Sequence, residues 1–170
     1  MAIEVRQVTA ADEALFRRLY QLYVYDFTEF TAEDIGPDGQ YPDPGNEAHW
    51  GVAGFDHFLA FVDGYPAGLA IVGHASTISG DTGVFDMTQF FVLRKYRRRR
   101  VGEEFARAMF DRYRGRWEVR ERRDNLPAQA FWRAIIGRYT GGRFTERSEW
   151  QDRPSRGPVQ FFDSSEPDRG

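Results

Sequence analysis

Residues 90–110 read FFVLRKYRRRRVGEEFARAMF. Three kinds of sequence follow one another here. The segment 84–93 (VFDMTQFFVL) is rich in β-branched and aromatic residues and reads as a strand. A turn follows with six bases in seven residues, Arg94 to Arg100. Beyond it, Phe105, Ala106, Met109 and Phe110 recur at helical spacing, so 102–113 reads as a helix. A helix N-terminus carries free N–H groups and a partial positive charge. A basic loop feeding such a terminus suits a phosphate-bearing anion, and Gly102 permits close approach.

Outward from this segment the pattern stays mixed. Residues 3–8 alternate as a short strand. Thr9 or Asp12 can cap a helix of about four turns whose apolar face is Leu15, Phe16, Leu19, Leu22 and Tyr23. Residues 36–54 hold five Gly and three Pro and read as a long loop, either functional or a surface insertion. Residues 57–62 and 66–73 flank Asp63-Gly64 as a hairpin. Residues 117–120 read as a short strand and 125–139 as a helix with Pro127 in its first turn. Residues 143–150 and 158–163 read as closing strands, and 164–170 as a frayed tail. This order gives an α/β (α+β) fold on one central sheet, in a single domain over 1–163.

Charge is unevenly distributed. Residues 1–93 hold 3 Arg against 14 Asp and Glu, a net −11. Residues 94–123 hold 13 bases against 5 acids, a net +8, and residues 124–170 balance at 7 and 7. The basic segment calls for an anionic partner. Cysteine is absent, which excludes disulfides, Cys-ligated metal and a thiol nucleophile, and three scattered histidines show no metal-ligand spacing. No apolar run approaches the ~20 residues of a membrane span, and the N-terminus lacks a signal-peptide pattern. A cytoplasmic, metal-free protein is expected, with no membrane partner.

Arg97-Arg98-Arg99-Arg100-Val101-Gly102 resembles the Arg/Gln-x-x-Gly-x-Gly/Ala signature of the GNAT superfamily of N-acetyltransferases, with Arg100 standing at the first glycine. Asn125-Leu-Pro-Ala128-Gln-Ala-Phe131-Trp132 is similar to that family's Asn-x-x-Ala-x-x-aromatic-aromatic helix start. Gly142-Arg-Phe144 resembles its Gly-Phe turn into the sixth strand. The three landmarks stand in family order, and the element order matches over about 3–163. The resemblance implies a mostly antiparallel sheet of about seven strands with helices on both faces. It implies acyl transfer from acetyl-CoA, as co-substrate, to the amine of a small molecule or peptide, and relatives are often dimers.

It also implies roles. Backbone amides around Arg97, Arg98, Arg99, Arg100, Val101, Gly102 and Glu103 would hold the CoA pyrophosphate. The strand backbone from Phe91 to Leu93 would pair with pantetheine, with a main-chain N–H near Val92 as oxyanion donor. Asn125, Phe131 and Trp132 would lie beside the pantetheine arm, Asn125 serving equally well as a helix N-cap. Relatives often carry a tyrosine acid where Trp132 stands. Tyr139 is then the remaining tyrosine of that helix, while Asp86 and Gln89 occupy positions where a base is expected. Tyr23, Tyr25, Asp26, Phe27, Tyr41 and Trp50 would form the acceptor site, their aromatics and carboxylates suiting a cationic amine. Two rivals remain open. One is an acyl-CoA binder without catalysis. The other is a nucleic-acid module using the basic turn, which the pI near 5.7 opposes.

Overall fold

A computed structural model describes residues 2–42, 48–148 and 156–166. Seven strands form one sheet in the order β1-β2-β3-β4-β5-β7-β6. They are β1 (Ile3–Gln7), β2 (Phe55–Val62), β3 (Tyr65–Gly73), β4 (Val84–Val92), β5 (Arg116–Arg122), β6 (Phe144–Arg147) and β7 (Arg156–Asp163). The helices are α1 (Glu13–Phe27), α2 (Val101–Arg112) and α3 (Leu126–Thr140), with short 3-10 turns at Ala10–Asp12 and Arg94–Tyr96. Every neighbouring pair is antiparallel except β4 and β5, which are parallel with α2 as their crossover.

Local chemistry explains the elements. Asp63 and Gly64 both take positive φ, 50° and 81°, the geometry of a tight hairpin turn. Asn125 Oδ1 accepts from the Ala128 N–H at 3.1 Å and starts α3, and Gly141 ends it in the left-handed region. One sheet face packs against α2 and α3 through Met87, Phe105, Phe110, Trp117, Trp132 and Tyr139. The other packs against α1 through Phe16, Leu19, Leu59, Leu69, Ile71 and Phe91.

Several boundaries differ from the sequence reading. Leu22, expected on the apolar face of α1, is 47% exposed; Phe16, Leu19, Tyr20 and Val24 form the buried stripe. The strand expected at 117–120 extends over Arg116–Arg122 because β7 pairs along its whole length. The strand expected over 143–150 is β6, and its last two positions lie outside the described residues. So do 43–47 of the long loop and 167–170 of the tail. The frayed tail does not begin at Ser164. That residue is fully buried, its N–H donates to the Gly115 carbonyl at 2.8 Å, and its hydroxyl accepts from the Trp117 indole at 3.2 Å.

Candidate active site: the gap between β4 and β5

The parallel pairing of β4 with β5 runs only from Val84↔Arg116 to Met87↔Val119. Beyond that point β4 continues with β3, and β5 continues with β7. The physical cause sits on β4. Ile71 opposes Gln89 and Val72 opposes Met87, so Thr88 is an extra residue, a β-bulge. A bulge bends its strand and raises the local twist. The two strands therefore part immediately after Met87, and a gap opens in the middle of the sheet.

The backbone of β4 along this gap is partly unpaired. Phe91 turns its carbonyl to β3, where a Cβ on Gly68 would lie 2.3 Å from that oxygen, and Leu93 N–H donates to Ala67 at 2.8 Å. Alternation along the strand turns the N–H groups of Phe90 and Val92 the other way, toward the gap. Of the expected stretch 91–93, only Val92 thus offers its backbone there, because β3 occupies Phe91 and Leu93. Phe90, nearer the apex, is a gap-facing donor the sequence reading missed; locating it required the bulge register. The Val92 carbonyl accepts from Arg97 Nε at 2.8 Å.

The basic turn lies at the far end of β4. Arg98 and Arg100 take φ of 60° and 64°, the left-handed region where glycine is favoured. Arg100 is the N-cap of α2 and keeps, with a side chain attached, the conformation for which the family motif uses glycine. Arg98, Arg99 and Arg100 are exposed and form no ion pair with the described residues. The Glu104 N–H already bonds the Arg100 carbonyl, which leaves the N–H groups of Val101, Gly102 and Glu103 as the open helix terminus. Successive backbone donors plus three guanidiniums can hold an anion of the pyrophosphate type.

The side chains of this segment do not all point there. Arg97 donates to Asp26 and covers the Phe91 ring, so it faces α1 rather than the helix terminus. Val101 is fully buried, and only its backbone is available. Glu103 makes two hydrogen bonds with Arg138 of α3, at 3.1 and 3.0 Å, so its carboxylate is not at the anion site. A Cβ on Gly102 would meet the Phe131 ring at 3.0 Å and Val92 Cγ2 at 3.6 Å, so Phe131 packs directly on the terminus. Trp132 is buried against Phe90 and Phe110, in the core rather than along the gap.

The acid and base candidates fare differently. Tyr139 is 1% exposed and its hydroxyl donates to Asp111 at 2.8 Å. Burial, then that bond, push its pKa up. Asp111 lies ten residues along α2 from Val101, about 15 Å away, so Tyr139 is not a gap residue. Asp86 is fully buried and accepts from Arg120 Nη2 (2.7 Å), Arg120 Nε (3.2 Å), Thr77 Oγ1 (2.6 Å) and Thr88 Oγ1 (3.2 Å). Four donors saturate it, and it is a structural anion rather than a base. Glu118, its cross-strand neighbour, has its pKa raised by burial and then by Asp86, against the hydroxyl of Ser76. Gln89 does face α1 at the gap, where its Oε1 accepts from the Tyr23 hydroxyl.

The expected acceptor residues divide into two groups. Tyr41 and Trp50 line a 560 Å³ cavity with Phe16, Arg17, Tyr20 and Gln21, between α1 and the long loop. Tyr25 is 59% exposed, its ring 6.4 Å from Tyr41. Tyr23, Asp26 and Phe27 are not part of that cavity: Tyr23 packs on Phe91 of β4, Asp26 meets the basic turn, and Phe27 lies beside Tyr23 under Arg122 of β5. Asp26 accepts from Arg94 Nε at 2.8 Å and from Arg97. Burial opposes its ionisation, but these two arginines hold its pKa below the ordinary 3.8. A carboxylate held by two guanidiniums is not a free counter-ion for an amine. Among the described residues no group of His, Asp and Glu is arranged to hold a metal.

A mostly antiparallel sheet that splits between two parallel strands, in front of a helix N-terminus, defines the acetyltransferase fold. The family model "Acetyltransferase (GNAT) family" matches residues 16–137, and the chain belongs to that family. The ribosomal-protein-S18-alanine N-acetyltransferase of Escherichia coli is similar in structure at 13% identity, with 99% of this chain and 97% of that one covered and a TM-score of 0.59. PaiA N-acetyltransferase of Thermoplasma acidophilum, in complex with coenzyme A, gives 13%, 94%, 98% and 0.60. YncA of Salmonella typhimurium, with acetyl-CoA, gives 15%, 100%, 100% and 0.61. No curated protein matches the chain by sequence. No helix of the described residues is long and apolar enough to cross a membrane.

Proposed function

We propose that the protein transfers an acetyl group from acetyl-CoA to a primary amine, with both substrates bound at the β4–β5 gap. The parting of these strands just beyond the bulge at Thr88 carries this reading, because it frees backbone donors in line with the open terminus of α2. The pyrophosphate sits on the N–H groups of Val101, Gly102 and Glu103, flanked by Arg98, Arg99 and Arg100. Pantetheine enters the gap, displacing the Arg97 guanidinium from the Val92 carbonyl, and Asn125 and Phe131 flank it on the α3 side. The N–H groups of Phe90 and Val92 face the thioester carbonyl and stabilise the oxyanion.

The amine loses its ammonium proton to solvent and its lone pair attacks the carbonyl carbon. The N–C bond forms, the C–S bond breaks, and the departing thiolate takes up a proton. The products are the N-acetyl amine and CoA, with one proton released. Holding the two reactants together supplies much of the rate. Asp86 is occupied by its four donors and Tyr139 lies away from the gap, and that favours a second reading, an acyl-CoA binder without turnover.

Thermal unfolding with and without acetyl-CoA tests the site. A ligand at about 100 times its Kd stabilises by about 2.7 kcal/mol. Gly102→Glu, which puts a carboxylate at the anion site and collides with Phe131, is expected to abolish that shift. CoA release with an amine panel then separates the two readings. The chain has no cysteine, so a thiol reagent reads CoA without background from the protein.

A further inference from the structure

The gap is roofed on its α1 face by a row of aromatic rings that reaches from β4 to β5. At the β4 end the Tyr23 hydroxyl donates to Gln89, with its ring 5.7 Å from Phe91. Phe27 follows 5.4 Å from Tyr23, and Phe30 follows 5.8 Å from Phe27. At the β5 end Arg122 donates to the Phe30 carbonyl at 2.8 Å and covers the Phe27 ring at 6.0 Å. Tyr23, Phe27 and Phe30 are all half-buried, so each keeps surface to offer a ligand.

Three of the carboxylates around this row are matched. Asp26 is held by Arg94 and Arg97, Asp86 by Arg120, and Asp124 by both Nε and Nη2 of Arg122. Glu29 is exposed and lies in the field of Arg94. A polyamine or lysine-like acceptor needs spare carboxylates, and among the described residues near the row those without an arginine of their own are the exposed Glu29 and the half-open Glu33, which accepts from Thr31 Oγ1. Ion pairs at such solvent-open positions add little. An amine on an aromatic body meets ring faces and edges, which recognise both aromatic carbon and a nearby ammonium.

Resting on the acetyl-transfer reading, we infer that the acceptor is a small arylalkylamine, its ring packed against Tyr23, Phe27 and Phe30 and its amine directed into the β4–β5 gap. This replaces the acidic recognition expected from the composition of residues 1–93.

The test compares 2-phenylethylamine and tyramine with 1,4-diaminobutane and spermidine, reading CoA release from acetyl-CoA and, separately, amine binding to the protein with CoA. The expected result is a kcat/KM at least about tenfold higher for the aromatic amines, the scale of one well-made aromatic contact. Phe27→Leu and Phe30→Ala should each raise KM for 2-phenylethylamine by about three- to tenfold with little change in kcat. Equal or better use of the polyamines overturns the inference and leaves acetyl transfer standing. No CoA release with any amine, together with 2-phenylethylamine binding that Phe27→Leu weakens, overturns acetyl transfer and supports aromatic recognition. Absence of both the aromatic preference and the binding overturns the inference.

Discussion

Glu121, near the end of β5, is a carboxyl group buried without hydrogen-bond partners. It is 7% exposed, and neither carboxylate oxygen has a hydrogen-bond partner, nor does Oε1 of the nearby Gln160. Burial pushes its pKa from the ordinary 4.5 to about 8, with Gln160 and Arg133 opposing and Glu146 adding to the rise. The folded chain therefore holds a proton that the unfolded chain releases above pH 4.5. The stability associated with this group is fully present below pH 4.5, falls as pH rises, and is lost by about pH 8. At pH 7 the loss spans about 2.5 pH units at ~1.36 kcal/mol each, about 3 kcal/mol. Glu121→Gln removes the titration and gives the Gln160 Oε1 an amide donor. The variant should be more stable at pH 7 by up to about 3 kcal/mol, or about 6–12 °C in Tm for a chain of this size. Near pH 4.5 the advantage should vanish. Thermal unfolding of both proteins at half-unit steps from pH 4.5 to 8.5 measures the difference. Parallel curves, with a gap independent of pH, would show that Glu121 does not titrate in this window and would refute the reasoning.

Arg100→Gly removes a side chain from a left-handed backbone. The conformational relief of about 1–2 kcal/mol, less the greater unfolded-state freedom of glycine at about 0.5–1 kcal/mol, leaves a gain near 0.5–1 kcal/mol in urea titration. The same change is expected to weaken acetyl-CoA binding several-fold, read by isothermal calorimetry, because one of the three unpaired guanidiniums is gone. Asp86→Asn breaks the ion pair of a fully buried carboxylate with the partly exposed Arg120, which keeps Glu118 nearby, and should cost about 2–3 kcal/mol, below the range for a wholly buried pair. Its folded fraction should keep the wild-type pH profile for CoA release, since Asp86 carries no proton in the reaction. Tyr139→Phe loses the bond to Asp111 and the one accepted from Arg114, so about 1–2 kcal/mol of stability goes while kcat is retained.

The fold was legible because it rests on local chemistry. The Asp63-Gly64 turn, the Asn125 cap and the strand–turn–helix of 90–110 each depend on neighbours within a few residues. The backbone positions proposed for the site could be named from the sequence for the same reason, since Val92 and the α2 terminus are positions in regular elements. Side-chain roles were not. Arg97 and Asp26 are 71 residues apart, and Asp86 and Arg120 are 34 apart, so their pairing depends on which elements the sheet brings together. The acidic excess of residues 1–93 therefore suggested a cationic acceptor, although its nearest carboxylates answer arginines of the basic segment. The bulge at Thr88, which opens the gap, has no signal in one sequence, because a bulge is a register between two strands.

Amide hydrogen exchange in the presence and absence of acetyl-CoA tests the central claim most directly, because the account assigns the cofactor to specific backbone N–H groups. Protection is expected at Phe90 and Val92 on β4 and at Val101, Gly102 and Glu103 at the start of α2, and it should be lost in Gly102→Glu. Protection confined to the cavity between α1 and the long loop, around Gln21, Tyr41 and Trp50, or none at all at saturating acetyl-CoA, would contradict it.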